Sequence, residues 1–259
     1  MKLAISGKGG VGKTTFAAFL IKALSDAGIR VLAIDADPDA NLAQALGIKE
    51  KERLVPIAEM KELIEERTGA KPGTIGGFFS LNPKVDDLPD RLSIEMDNIK
   101  FMVMGGIKKG GAGCICPESA LLKQLIRHIV ISRDEAVVMD MEAGLEHLAR
   151  GTAMFVDRLI VVVEPGMRSI ETAFQIKRLA NDLGIKKISL VGNKIRSEKD
   201  EQFIKRNAEG FDFICFIPFR EDIIEADLEG VPVFEKDKET LNIIKNVIKE
   251  KFYELQQNT

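Results

Sequence analysis

The sequence predicts an α/β fold: a doubly wound, mostly parallel sheet of about seven or eight strands flanked by helices. Three observations predict it. Short runs of apolar, often β-branched residues recur along the chain, as in strands buried on both faces. Helical patterns alternate with them, which is the rhythm of βαβ units. The first run also leads through a glycine-rich loop into a helix, the layout of a phosphate-binding unit.

In chain order, strands are expected at 2–6, 30–34, 100–104, 136–139, 158–163, 187–191 and 213–217. A helix over 14–27 has Phe16, Phe19, Leu20, Ala23 and Leu24 on one face and stops at Gly28. A second begins at Pro117, suited to a first helical turn, and runs to 131. A third covers 169–183 and stops at Gly184. Residues 49–98 break the rhythm. They hold one helix over about 56–67, then PGTIGGFF and LNPKVDDLPDRL, and read as an insertion on the sheet's edge or a functional loop. The stretch 241–255 is amphipathic, with Ile244, Val247, Ile248, Phe252 and Leu255 on one face; packing on the sheet is preferred to membrane binding, because glutamates offset its lysines. With no repeat and no Pro-, Gly- or Ser-rich linker, residues 1–259 read as a single domain.

Composition removes several classes of function. The 259 residues can bury a large core, which excludes a disulfide-stapled miniprotein. The 37 basic and 40 acidic side chains leave a net charge of −3, so nothing advertises a nucleic-acid or anionic-membrane partner. Trp is absent and Tyr is single, which argues against a base-stacking platform. No apolar run reaches the roughly 18 residues of a membrane span. The N-terminus lacks an export signal, and the three cysteines are an odd number, so reduced thiols in the cytoplasm are expected.

Chemistry concentrates in Gly7-Lys8-Gly9-Gly10-Val11-Gly12-Lys13-Thr14-Thr15, which fits GxxxxGK[ST] with a strand before and a helix after it. Such glycines turn successive N–H groups toward phosphate oxygens, and the helix N-terminus adds positive potential. Lys13 is expected to reach the β- and γ-phosphates and the Thr14 hydroxyl to bind Mg²⁺. Asp140, at the end of VVMD, is placed to hold Mg²⁺ through water. Asp35-Ala36-Asp37-Pro38 follows the second strand, whose end faces the phosphates; Asp37 can equally be the cap of a helix begun by Pro38. Asn193-Lys194-Ile195-Arg196 follows the strand at 187–191. A guanine reader needs a carboxylate three residues after the Asn, and Arg196 is a donor; Asn193 can still contact adenine, which favours ATP over GTP.

Lys8 carries a resemblance. KGGVGKTT, with a lysine directly after the first glycine, resembles the deviant Walker A loop of the MinD/ParA class, which includes the nitrogenase iron protein. The resemblance implies that Lys8 crosses a dimer interface to the partner's nucleotide, that DADPDAN is switch I with Asp37 orienting the attacking water, and that DMEAGLEHLARG (140–151, including His147) is switch II. It thereby makes Lys8, Lys13 and Asp37 the catalytic set. The nucleotide-binding set becomes Lys8, Gly9, Gly10, Val11, Gly12, Lys13, Thr14, Thr15 and Asn193. Within the class, LNPKVDDLP, Cys114-Ile115-Cys116 and DMEAGLEHLARG together resemble the CooC family. Those are cytoplasmic ATPases that assist nickel incorporation into carbon monoxide dehydrogenase; the related AcsF serves acetyl-CoA synthase. The resemblance spans nearly the whole chain. It implies ATP, ADP and Mg²⁺ as ligands, a homodimer formed on ATP or metal, and a client nickel enzyme; charge and composition, read above, argue against nucleic acid and membrane as partners.

Read as chemistry, the pair Cys114 and Cys116 sits in a glycine-rich loop with one residue between the thiols, so both can face one side of an extended chain. Two thiolates do not fill a tetrahedral site; two subunits would supply four, which suits Zn²⁺ and can take Ni²⁺. The residues alone leave metal ligation and incidental cysteines equally open, and the resemblance favours the metal. Cys215, inside FICFIP, reads as a core cysteine, and His128 as solvated or capped. A MinD-like spatial organiser and an iron–sulfur reductase resembling the nitrogenase iron protein stand as alternative functions.

Overall fold

The computed structural model describes residues 1–50, 53–72, 78–105, 116–143, 145, 153 and 155–252. Its strands are β1 (Lys2–Gly7), β2 (Val31–Asp35), β3 (Ile94–Met96), β4 (Ile99–Val103), β5 (Ala136–Asp140), β6 (Arg158–Val163), β7 (Ile188–Ile195) and β8 (Asp212–Pro218). They form one sheet in the order β3-β4-β2-β5-β1-β6-β7-β8. Every neighbouring pair is parallel except β3 with β4. The seven expected strands are all present, and β3 is the addition.

Helices cover both faces. On one side lie α1 (Lys13–Asp26) and α2 (Leu42–Leu46); α3 (Lys61–Thr68), α4 (Leu88–Leu92), α5 (Pro117–Ser132), α6 (Met167–Leu183) and α7 (Glu198–Asn207) follow on the other. The chain ends with α8 (Glu221–Glu229), α9 (Val233–Lys236) and α10 (Lys238–Val247). Alternation along the strands splits the core in two. Leu3 and Ile5 join Phe16, Phe19 and Leu20 of α1, while Ala4 faces the layer holding Leu121, Leu125, Ile170 and Ile204. Strands buried on both faces explain the continuous apolar runs of the sequence.

Three expectations are corrected. The helix expected at 56–67 is two pieces, a 3₁₀ turn at Ile57–Glu59 and then α3. Met60, at φ −75° and ψ 77°, breaks it. Pro38 does not begin a helix: α2 starts at Leu42 after Asn41, so Asp37 is not its cap. The C-terminal helix starts earlier than expected, at Lys238, where the Thr240 amide donates to Asp237 Oδ1 at 2.9 Å. Its Leu241, Ile244 and Val247 enter the α1 core, and Lys245 pairs with Asp26 at 2.7 Å. The apolar face of α10 is thus spent on packing. Residues 49–98 do reach the sheet's edge, through β3 and through Val85 and Leu88 in the core. No described helix is long and apolar enough to cross a membrane.

Candidate nucleotide site

The site lies at the C-terminal ends of β1, β2, β5 and β7. β1 delivers the loop at Gly7, and α1 begins at Lys13 after Gly12, which stands at φ 91°. A Cβ on Gly12 would meet Asn193 Nδ2 at 2.3 Å, so both backbone shape and space demand glycine there. No side chain caps α1, and the first amide to close a helical turn is that of Phe16, on Gly12 O at 3.0 Å. The amides before it are left as donors for an anion.

Asp35 and Asp140 end adjacent strands in direct register. Both are fully buried. Asp35 Oδ2 accepts from the Leu42 amide at 2.9 Å and Oδ1 from the Asp37 amide at 3.2 Å, so it anchors the turn that follows β2. Burial pushes its carboxyl up to about 6, against those amide bonds. Asp140 Oδ2 accepts from Thr14 Oγ1 at 2.6 Å, while its Oδ1 is buried with no hydrogen-bond partner. Burial pushes Asp140 up to about 7; Asp35 adds to this, and the Thr14 hydrogen bond and Lys13 oppose it. An unspent anionic oxygen beside a threonine hydroxyl fits a hydrated divalent cation.

The Lys13 ammonium is nearly buried and lies 3.8 Å from Asp37 Oδ2. Asp37 Oδ1 also accepts from the Asp39 amide at 3.0 Å. Lys8 is half-buried, and its ammonium has no hydrogen bond or ion pair among the described residues. A cleft of about 580 Å³ opens along Gly9, Lys13, Thr15, Asp37, Ile223 and Asp227, between the loop, α2 and α8. That volume is within the range of small-molecule sites.

The family description that matches is the CobQ/CobB/MinD/ParA nucleotide binding domain, over residues 2–233. The chain belongs to the MinD/ParA nucleotide-binding family. It is 50% identical to the carbon monoxide dehydrogenase accessory protein CooC of Rhodospirillum rubrum, over 91% of this chain and 90% of that one, which puts it with CooC inside the family. An uncharacterised ATP-binding protein of Methanocaldococcus jannaschii is 46% identical over 90% of this chain and 91% of its own. Among solved structures, MinD from Pyrococcus horikoshii complexed with Mg-ADP superposes with TM-score 0.64 at 23% identity, covering 97% of each chain.

For this member of the MinD/ParA family, Lys13, Thr14, Asp37 and Asp140 are brought together as the sequence suggested. Asn193 is there too, but under the loop: its Nδ2 donates to Val11 O at 2.8 Å, leaving one amide hydrogen and Oδ1 for other partners. Sequence reasoning gave no role to Lys194. It stands at φ 58°, donates from Nζ to Gly10 O at 2.6 Å, and pairs with Glu164 at 2.9 Å. The wall contributed by α8 was missed as well, since its residues carry no motif. Cys114, His147 and most of the segment 140–151 lie outside the described residues. Cys116 is half-buried at the N-cap of α5. His128 is twelve residues further along that helix, about 18 Å away at 1.5 Å per residue, and so does not share a metal with Cys116. It lines a separate cleft of about 570 Å³ with Asn82, Lys84 and Arg127. Among the described residues no cluster of three or more His, Cys, Asp or Glu is arranged to hold a metal.

Proposed function

We propose that this chain is a cytoplasmic, homodimeric, single-domain ATPase that assists nickel insertion into carbon monoxide dehydrogenase or acetyl-CoA synthase. Its extended likeness to the Rhodospirillum rubrum accessory protein carries the reading. The loop chemistry supports it. Lys13 and the free amides of the α1 turn bind the β- and γ-phosphates. Thr14, and Asp140 through water, would hold magnesium, which supplies positive charge to the phosphate oxygens. Asp37 orients the attacking water. Lys8, with no partner among the described residues, carries its charge to the nucleotide of the second subunit. In phosphoryl transfer there is little covalent chemistry for a protein to do, so positioning and charge account for the rate. The product is a change in dimer geometry that governs a metal site made by Cys114 and Cys116 of both chains.

The test has two arms. Lys13→Ala should lose nucleotide binding, because it removes the main phosphate charge. Lys8→Ala should bind an ATP analogue nearly as wild type, yet lose about 10³-fold in phosphate release, the scale of a charge supplied in trans. Weak binding by Lys8→Ala with normal turnover per bound ATP would end the in-trans role. In the second arm, purified nickel-free client is incubated with nickel and the wild-type protein. ATP should raise nickel incorporation, and Lys8→Ala should not; incorporation equal with and without ATP would end the accessory reading.

A further inference from the structure

The cleft that His128 lines lies toward the opposite edge of the sheet from the nucleotide site. β4 and β5 both run parallel to β2, so α5, which connects them, runs back toward the N-terminal ends of the strands. Its Leu121, Leu125, Ile126 and Ile129 enter the core, and Gln124, Arg127, His128 and Ile131 recur at intervals of three and four on the other face. Across from them the segment 82–86 alternates. Pro83 and Val85 are buried, while Asn82, Lys84 and Asp86 are exposed. Arg67 of α3 fixes that segment, donating to Lys84 O at 3.3 Å and to the two carboxylate oxygens of Asp87 at 2.9 and 2.7 Å. The two faces line about 570 Å³ between them.

The cleft is short of negative charge. Arg127 and His128 make no hydrogen bond or ion pair with the described residues. Lys84 has only Asp86, at 3.8 Å with both side chains well exposed, which holds it weakly. Asp86 is the one carboxylate among the described lining residues. Ile131 stands among these donors 44% exposed, so an apolar anchor sits inside a polar rim, as at a protein–protein contact. Place selects the partner. Lys8 and the phosphate loop belong to the other edge of the sheet, so a second copy that meets this one there leaves the cleft open. Arg127 is eleven residues along α5 from Cys116, about 16 Å at 1.5 Å per residue. An interface of about 800 Å² per partner is roughly 30 Å across and can cover both. We propose that the client nickel enzyme docks in this cleft, laying an acidic segment of its surface on Arg127, His128 and Lys84, so that α5 sets the distance from the docked surface to Cys116. This rests on the accessory reading and adds the surface by which the client is held.

The experiment immobilises nickel-free carbon monoxide dehydrogenase and, separately, nickel-free acetyl-CoA synthase, and measures binding of the full chain with ADP and magnesium. No nickel is added, so the readout depends on neither turnover nor metal transfer. Wild type should bind one of the two, more weakly as salt is raised. Arg127→Glu combined with Lys84→Glu should weaken that binding by about tenfold or more and remove its salt dependence. Melting temperature and phosphate release should stay at the wild-type values, and Arg127→Lys should bind nearly as wild type. Wild-type affinity in the double variant would overturn the docking site while leaving the accessory reading intact. So would a double variant that keeps client binding but changes the mass seen by light scattering, which would assign the cleft to a second copy. A folded wild-type chain that binds neither enzyme would overturn both readings.

Discussion

Asp35 and Asp140 bring two carboxylates to the same level of adjacent strands, where burial works against ionising either of them. Their folded values, about 6 and about 7, stand above the roughly 4 of an unfolded aspartate. Between those limits the folded chain binds more protons than the unfolded one. Stability from these groups is therefore fully present below about pH 4 and is lost as pH rises through 6 and 7. The protein freed of nucleotide and magnesium should lose melting temperature from about pH 5.5 to 7.5. Asp140→Asn should flatten that slope and stabilise the free chain near pH 8, because an amide has no charge to bury there. Thermal unfolding across the pH range decides it; equal slopes for the two proteins would mean that Asp140 is ionised in the folded chain well below pH 7. Saturating magnesium and ADP should remove the difference, because a cation beside Asp140 stabilises its charged form.

At the scale of elements, β7 and β8 meet where only glycine fits. A Cβ on Gly192 would lie 2.4 and 2.7 Å from two carbons of the ring of Phe216, its register partner on β8. Gly192→Ala should therefore cost about 1–3 kcal/mol, as overpacked cores do, and should weaken nucleotide binding as well, since Asn193 is the next residue. Urea unfolding with a parallel nucleotide titration checks both; unchanged stability would show that β8 can shift freely. The same pair of strands illustrates what could be read from the sequence. The apolar runs and the loop GKGGVGKTT are local signals, so the parallel strands and the meeting of Lys13, Thr14, Asp37 and Asp140 were legible. β3 was not, because three residues at an edge have no periodicity to detect. Nor was the break at Met60, where a helical pattern runs on through a non-helical ψ. Asp35 as the anchor of the turn before α2, Lys194 on Gly10 O and the wall from α8 each depend on contacts between elements far apart in sequence, which composition and spacing do not encode.

At the scale of the whole molecule, the prediction concerns a metal that one chain cannot enclose. Cys116 stands at φ −114° and ψ 157°, extended backbone, with Pro117 opening α5 behind it. One residue separates Cys114 from Cys116 in the sequence, so each chain offers two sulfurs where a closed soft site takes four. In the proposed homodimer a two-fold axis would supply the other pair. The dimer should then bind one Zn²⁺ or Ni²⁺, with affinity falling as pH drops because thiols must lose protons to ligate. Cys114→Ala or Cys116→Ala alone should abolish nearly all binding, since symmetry removes two ligands at once. Cys215→Ala should change nothing: its thiol is pushed up to about 12 by burial in β8 and stays protonated. Metal should also promote dimerisation without nucleotide, because binding links the chains. In the proposed cycle ATP would act on the same equilibrium from the loops, and shifting it from 1:99 to 99:1 takes about 5.5 kcal/mol of differential binding. Metal titration followed by light scattering on the wild type and the three cysteine variants measures stoichiometry and mass together. One metal per chain, or full binding by Cys116→Ala, would rule out a site shared between subunits.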